Sequence, residues 1–122
     1  MSPPLTEAPP YPASMQPLSF PTADVQAAAD RCRSVATLVD ERMGTASTAA
    51  GEATPSWTGA YADDFDIAWP DTELSATELS GRLRSLAGEL EDAIGAAAAE
   101  NQRRAQLRAD WDCQHAGPNE PC

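Results

Sequence analysis

The sequence predicts an all-α fold: an antiparallel helix-turn-helix hairpin with a kinked or split long second helix, flanked by a disordered Pro-rich N-terminal arm and a short disordered C-terminal tail. Three observations point there. Apolar side chains recur at alternating steps of three and four over two long segments, Pro and Gly break the chain between them, and nothing alternates as a half-buried strand does. The chain has 122 residues, 11 of them Pro, and a net charge of −11. That length allows one small domain, and Ala dominates its apolar fraction, so the core must be thin and the helices close.

Residues 1–21 hold seven prolines (Pro3, Pro4, Pro9, Pro10, Pro12, Pro17 and Pro21) and one charge. Proline at that density favours extended polyproline II and removes backbone donors, so this stretch reads as a disordered arm. The first helix is expected over about 22–51, with Thr22 as N-cap and Asp24 complementing the helix dipole. Its heptad stripe is Val25, Ala29, Cys32, Ala36, Val39, Met43, Ala46 and Ala50, widened by Val35 and Leu38. Asp30, Arg31, Arg33, Asp40, Glu41 and Arg42 fall mostly off that stripe, as solvent-facing residues should.

Gly51 through Gly59 interrupts the pattern, because Pro55 cannot occupy a helix interior and the glycines punctuate it. So short a connector, with its turn at 55–59, returns the second helix antiparallel to the first. The second helical region is expected over about 60–110. Tyr61, Phe65 and Trp69 open it, and Leu79, Leu83, Leu86, Leu90, Ile94 and Ala97 form its stripe, continued by Leu107 and Trp111. Pro70 predicts a kink or a break, and Ser75-Ala-Thr-Glu78 has the form of a capping box for a fresh start. At 1.5 Å per residue the first helix spans roughly 42 Å and the second region roughly 75 Å, so the second must overhang, fold back or fray. Ala96–Ala99 and Asn101–Arg104 suit an exposed extension, and 113–122 reads as a flexible tail.

Charge and composition exclude several functions. A strongly acidic chain repels phosphate backbones and anionic lipid, which argues against nucleic acid and membrane surfaces as partners. No apolar run reaches the length of a membrane span, and the first residues lack the basic and apolar regions of a Sec-type signal peptide. The carboxylates Asp63, Asp64, Asp66, Asp71 and Glu73 lack calcium-loop periodicity and read as a solvated helix face. Cys113, His115 and Cys122 are too few for a structural zinc site; a Cys113–Cys122 disulfide is the other reading, and Cys32 lies on the core stripe. The single histidine sits in a Gly/Pro-containing tail without a nucleophile held beside it, and no phosphate-binding Gly loop is present. The expectation is a protein that is not an enzyme and needs no metal or cofactor.

Trp57 followed by Gly59 puts a bulky apolar group at the open end of a helix pair. It serves either to cap the hairpin core or to anchor a partner. This arrangement resembles the Trp-X-Gly family of small type VII (ESX-type) secreted helical hairpins. The likeness rests on a leading helix, then Trp57-Thr58-Gly59, then Ala60, Tyr61, Ala62 and Phe65, then the Leu- and Ala-rich heptads to Ala97, and it covers roughly 22–108. It implies a hairpin that dimerises, with itself or a related hairpin, into a four-helix bundle of coiled-coil packing. It further implies export by a secretion ATPase to the medium or cell envelope without a cleaved signal. In that picture Trp57, Thr58, Gly59, Tyr61 and Phe65 are the recognition elements. The core and dimer stripe is Val25, Cys32, Val39, Met43, Leu79, Leu83, Leu86, Leu90 and Ile94.

The family's Tyr-X-X-X-Asp/Glu tail signal is absent, since Tyr11 and Tyr61 are followed four residues on by Met15 and Phe65. A partner then supplies the signal, or the chain stays in the cell, or the likeness is structural alone. The alternative function is a cytosolic acidic helical adaptor or inhibitor that binds a basic protein surface.

Overall fold

The computed structural model describes residues 11–118, and among them it is all-helical. A 3₁₀ turn at Ala13–Met15 precedes helix α1 (Thr22–Ala53), a second 3₁₀ turn at Thr54–Ser56, and helix α2 (Ala60–Gln114). The chain divides into two compact units, Pro21–Ala93 and a second built from the segments on either side of it.

The first unit is the hairpin. All eight residues of the α1 stripe, from Val25 to Ala50, are buried or half-buried, and Ala29 and Ala36 have no exposed surface. The chain enters α1 differently from expectation. Pro21, not Thr22, holds the N-cap position, and its carbonyl accepts the Val25 N–H at 3.0 Å with no side-chain cap. Asp24 does stand in the first turn, where the exposed N–H groups favour a negative charge. Facing α1, the inner positions of α2 are Ala76, Ser80, Leu83, Ala87 and Leu90, with Ser80 and Ala87 the most deeply buried.

This corrects the expected stripe. Leu83 and Leu90 are half-buried on it, but Leu79 and Leu86 sit one position off and stay 49% and 43% exposed. Small side chains take the seam because two helices approach closely only where nothing bulky intervenes, and the larger leucines are displaced to the flank.

The two helices run antiparallel, as the cross-links show: Gln26 and Arg33 bond Glu91, Asp40 bonds Arg84, and Ser47 bonds Glu73. Pro70 neither splits α2 nor starts a new helix at Ser75, since the helix runs unbroken through both. Pro70 removes the N–H that would reach the Asp66 carbonyl, but both residues are exposed and water can serve that oxygen. Thr72 and Thr77 hydroxyls donate back to the carbonyls of Ala68 and Glu73, a local pattern that shares a helical carbonyl and favours a gentle bend without breaking the helix. The inner positions Phe65, Trp69, Glu73 and Ala76 step by four, four and three. That insertion of a four-residue step locally shifts the seam, as a stutter does in a coiled coil.

The second unit corrects the expectation of a disordered arm for residues 11–20; residues 1–10 lie outside the described residues. The arm lies on the distal part of α2. Arg104 and Arg108 donate to the carbonyls of Gln16 and Met15 at 2.9 and 2.7 Å. Asn101 accepts the Leu18 N–H at 2.7 Å, and the Tyr11 hydroxyl donates to the Asp112 carboxylate at 2.9 Å. Asn101–Arg104 is therefore no bare extension: guanidinium and amide groups supply partners to backbone groups of the arm that its own short 3₁₀ turn leaves open. The Tyr11 ring meets Trp111 edge-on at 5.2 Å, and Trp111 stacks on His115 at 3.8 Å. The helix thus reaches four residues past its expected end, with the His115 Nδ1 2.8 Å from the Trp111 carbonyl. Cys113 is disulfide-bonded and Cys32 is a free thiol; Cys122 lies outside the described residues.

Candidate functional site

The turn that joins α1 to α2 is built by Pro55 and Gly59. Pro55 opens the 3₁₀ turn, where its missing N–H costs nothing, and the Ser56 hydroxyl closes the last turn of α1 by donating to the Ala53 carbonyl at 2.9 Å. The Trp57 N–H donates to Thr54 at 3.1 Å. Gly59 has φ of +103°, in the region that favours glycine, and its carbonyl accepts the first α2 bond from Asp63. The glycine is needed for backbone direction: a Cβ here would meet nothing within 4 Å.

That geometry aims Trp57 back at the first turns of α2. Its ring meets Phe65 edge-on at 5.3 Å, and Phe65 stacks on Trp69 at 5.4 Å. Phe65 and Trp69 recur at i and i+4, so one helix face presents both rings. Trp57 remains 48% exposed and Tyr61 92% exposed, while Thr58 and Gly59 are exposed. The structure therefore brings Trp57 and Phe65 together and leaves Tyr61 pointing into solvent. Trp69 is the member of this cluster that the recognition set omits. Its spacing of four from Phe65 was the available signal.

Two cavities open beside the rings. One, of about 330 Å³, is apolar and lined by Ala46, Ala49, Ala50, Ala53 and the three rings. The other, of about 310 Å³, places the Asp66 and Glu73 side chains beside Phe65 and Trp69.

The hairpin's two edges differ in chemistry. Along one, Arg33 pairs with Glu91, and Arg84 pairs with Asp40 at 2.6 Å. Arg33 and Gln26 hold the Glu91 carboxyl down at about 2, and the Ser80 hydroxyl and Arg84 hold Asp40 below its usual range. These residues occupy equivalent heptad positions, which meet across an antiparallel pair. Along the other edge stand Val35, Leu38, Leu79 and Leu86, all exposed.

Among the described residues, no group of three or more His, Cys, Asp or Glu side chains is placed to hold a metal ion, and no helix is long and apolar enough to cross a membrane. No family model matches the chain, and neither a curated protein nor a solved structure shows significant similarity to it.

Proposed function

We propose that the chain is a non-enzymatic helical hairpin of the type VII (ESX-type) secretion kind, pairing with a second hairpin and leaving the cell with it. The observation that carries this reading is the tip. Trp57-Thr58-Gly59 joins two heptad-patterned helices, and its positive-φ glycine and half-exposed tryptophan support reading the tip as a recognition element. The partner is a second copy or a related hairpin, and the edge of Val35, Leu38, Leu79 and Leu86 is the surface it covers. Four aliphatic side chains left half in water on one edge, opposite an edge closed by ion pairs, favour burial on association. A secretion ATPase drives export, and the destination is the medium or the cell envelope.

Expression with candidate hairpin partners tests this. The protein is measured in culture medium with and without the export ATPase, and equal amounts in both media refute export. Trp57→Ala should reduce export while leaving helix content near that of the parent.

A second reading, a cytosolic acidic adaptor that covers a basic surface, is favoured by one observation. From Gly44 to Gly81 the chain carries seven carboxylates and no Arg or Lys. Retention in cells together with capture of a basic partner would support it over export.

A further inference from the structure

We infer that Asn101, Arg104, Arg108 and Trp111 form a binding site for an extended proline-rich segment, filled within one chain by its own arm and, in a pair of chains, by the arm of the second copy. The swap rests on the reading that two hairpins pair; neither part depends on export.

The site continues the α2 seam. Ala87, Leu90, Ile94 and Ala97 step by three, four and three, and after a step of four Asn101, Arg104, Arg108 and Trp111 repeat that register, all half-buried. An amide and two guanidiniums in seam positions do not suit a second helix, whose interior backbone groups are already bonded to one another. They suit a segment with open backbone groups, and such a segment is seated there. The Asn101 amide reads both backbone groups of one residue, accepting the Leu18 N–H at 2.7 Å and donating to the Leu18 carbonyl at 3.4 Å. Arg104 donates to the Gln16 carbonyl at 2.9 Å and Arg108 to that of Met15 at 2.7 Å. Glu100 accepts from the Arg104 Nε at 2.9 Å, so that guanidinium is aimed by its own helix. Trp111, backed by the His115 ring, takes Tyr11 edge-on.

The ligand chemistry follows from these contacts: an extended backbone with open carbonyls and an N–H, led by a tyrosine. Pro12 and Gln16 have φ/ψ of −52/150° and −73/147°, close to polyproline II, so the arm is held extended by its own sequence and loses little freedom on docking. Every copy of the chain carries this ligand. Residues 19–21 join it to α1 without helix, so that link redirects the arm without unwinding either neighbour. A swapped arm re-forms the same contacts in the other chain, at the cost of association alone. In a dilute chain the arm in cis wins. Once hairpins pair, the second arm is present at an effective concentration on the order of millimolar and competes on similar terms.

The test complements two full-length variants. Tyr11→Ala/Leu18→Pro spoils the arm, since proline removes the N–H that Asn101 accepts, and leaves the site intact. Asn101→Ala/Arg108→Ala spoils the site and leaves the arm intact. The site-defective chain alone is labelled with ¹⁵N, and hydrogen exchange is read at its Leu18 amide. That amide should exchange freely by itself and at least about threefold more slowly with roughly 1 mM unlabelled arm-defective chain, because its one intact site lies on the other molecule. An unlabelled chain carrying all four substitutions should not slow it. No slowing by the arm-defective chain, or equal slowing by the fourfold variant, would overturn the inference.

The parent chain is read in a mixture of ¹³C-labelled and unlabelled copies. An intermolecular cross-peak between the Tyr11 and Trp111 rings should grow over the concentrations at which sedimentation shows pairing. Paired chains without that cross-peak would overturn the swap and leave the pairing reading standing. A parent that never pairs would sink the pairing reading, while Leu18 protection in the complementing mixture would still establish capture of a second copy's arm.

Discussion

Replacing Leu79 and Leu86 together by alanine separates what these side chains contribute to the hairpin from what they offer a partner. Their exposures of 49% and 43% set the division. Each substitution removes three carbons worth about 0.8 kcal/mol apiece when fully buried. Weighted by exposure, the two positions hold about 2 kcal/mol per chain for a partner and about 2.5 kcal/mol already used in the fold. In a symmetric pair the first figure counts twice, giving about 4 kcal/mol, on the order of a thousandfold in the dissociation constant. Sedimentation across a concentration series reads the association, and urea unfolding of dilute monomer reads the fold. A parent chain that is strictly monomeric yet cooperatively folded would refute the reasoning. So would a variant that loses fold stability without losing association.

Three further perturbations address the turn, the ion-pair edge and the arm. Gly59→Ala should destabilise by about 1–3 kcal/mol through its positive φ alone, whereas Gly81→Ala, inside α2 with open space around it, should stabilise by about 0.5–1 kcal/mol; chemical denaturation compares them. Glu91 titrates at about 2 in the fold against an ordinary 4.5, so its contribution is complete above pH 4.5 and is lost as pH falls through 2. The stability gap between parent and Glu91→Gln should accordingly close over that window, and a constant gap would contradict the pairing with Arg33. Asn101→Ala should raise hydrogen exchange at the Leu18 amide, which donates to the Asn101 side chain at 2.7 Å, without altering amides of α1.

The legibility of the sequence differed between the two helices for a physical reason. In α1 every large apolar residue except Val35 and Leu38 lies on the seam, so periodicity and burial coincide from Val25 to Ala50. In α2 the leucines carry the hydrophobic signal while Ser80 and Ala87 take the seam. Hydrophobicity alone cannot show that close approach will prefer the smaller neighbour. Pro70 looked like a break because local propensity forbids it. Its exposed setting and the packing of Phe65 on Trp69 beside the lost bond outweigh that cost. The arm was hidden for another reason. Its partners Asn101, Arg104 and Arg108 are polar side chains that recognise backbone carbonyls and amides, and such contacts leave no hydrophobic periodicity in either segment. At the tip, Trp57 and Gly59 were legible as a motif, but the cavity that joins Phe65 and Trp69 to Asp66 and Glu73 exists only once the turn is formed.

The alanines of the seam have a consequence for the temperature dependence of the fold. Among the described residues, Ala29, Ala36 and Ala87 are the side chains with no exposure at all, and no large side chain is fully buried. Unfolding therefore wets little new hydrocarbon, and the heat-capacity increment should fall below the usual ~12–15 cal/mol/K per residue. A small increment flattens the stability curve. The chain should lose structure gradually on heating, resist cold, and respond weakly to urea, since the denaturant slope follows the same exposed area.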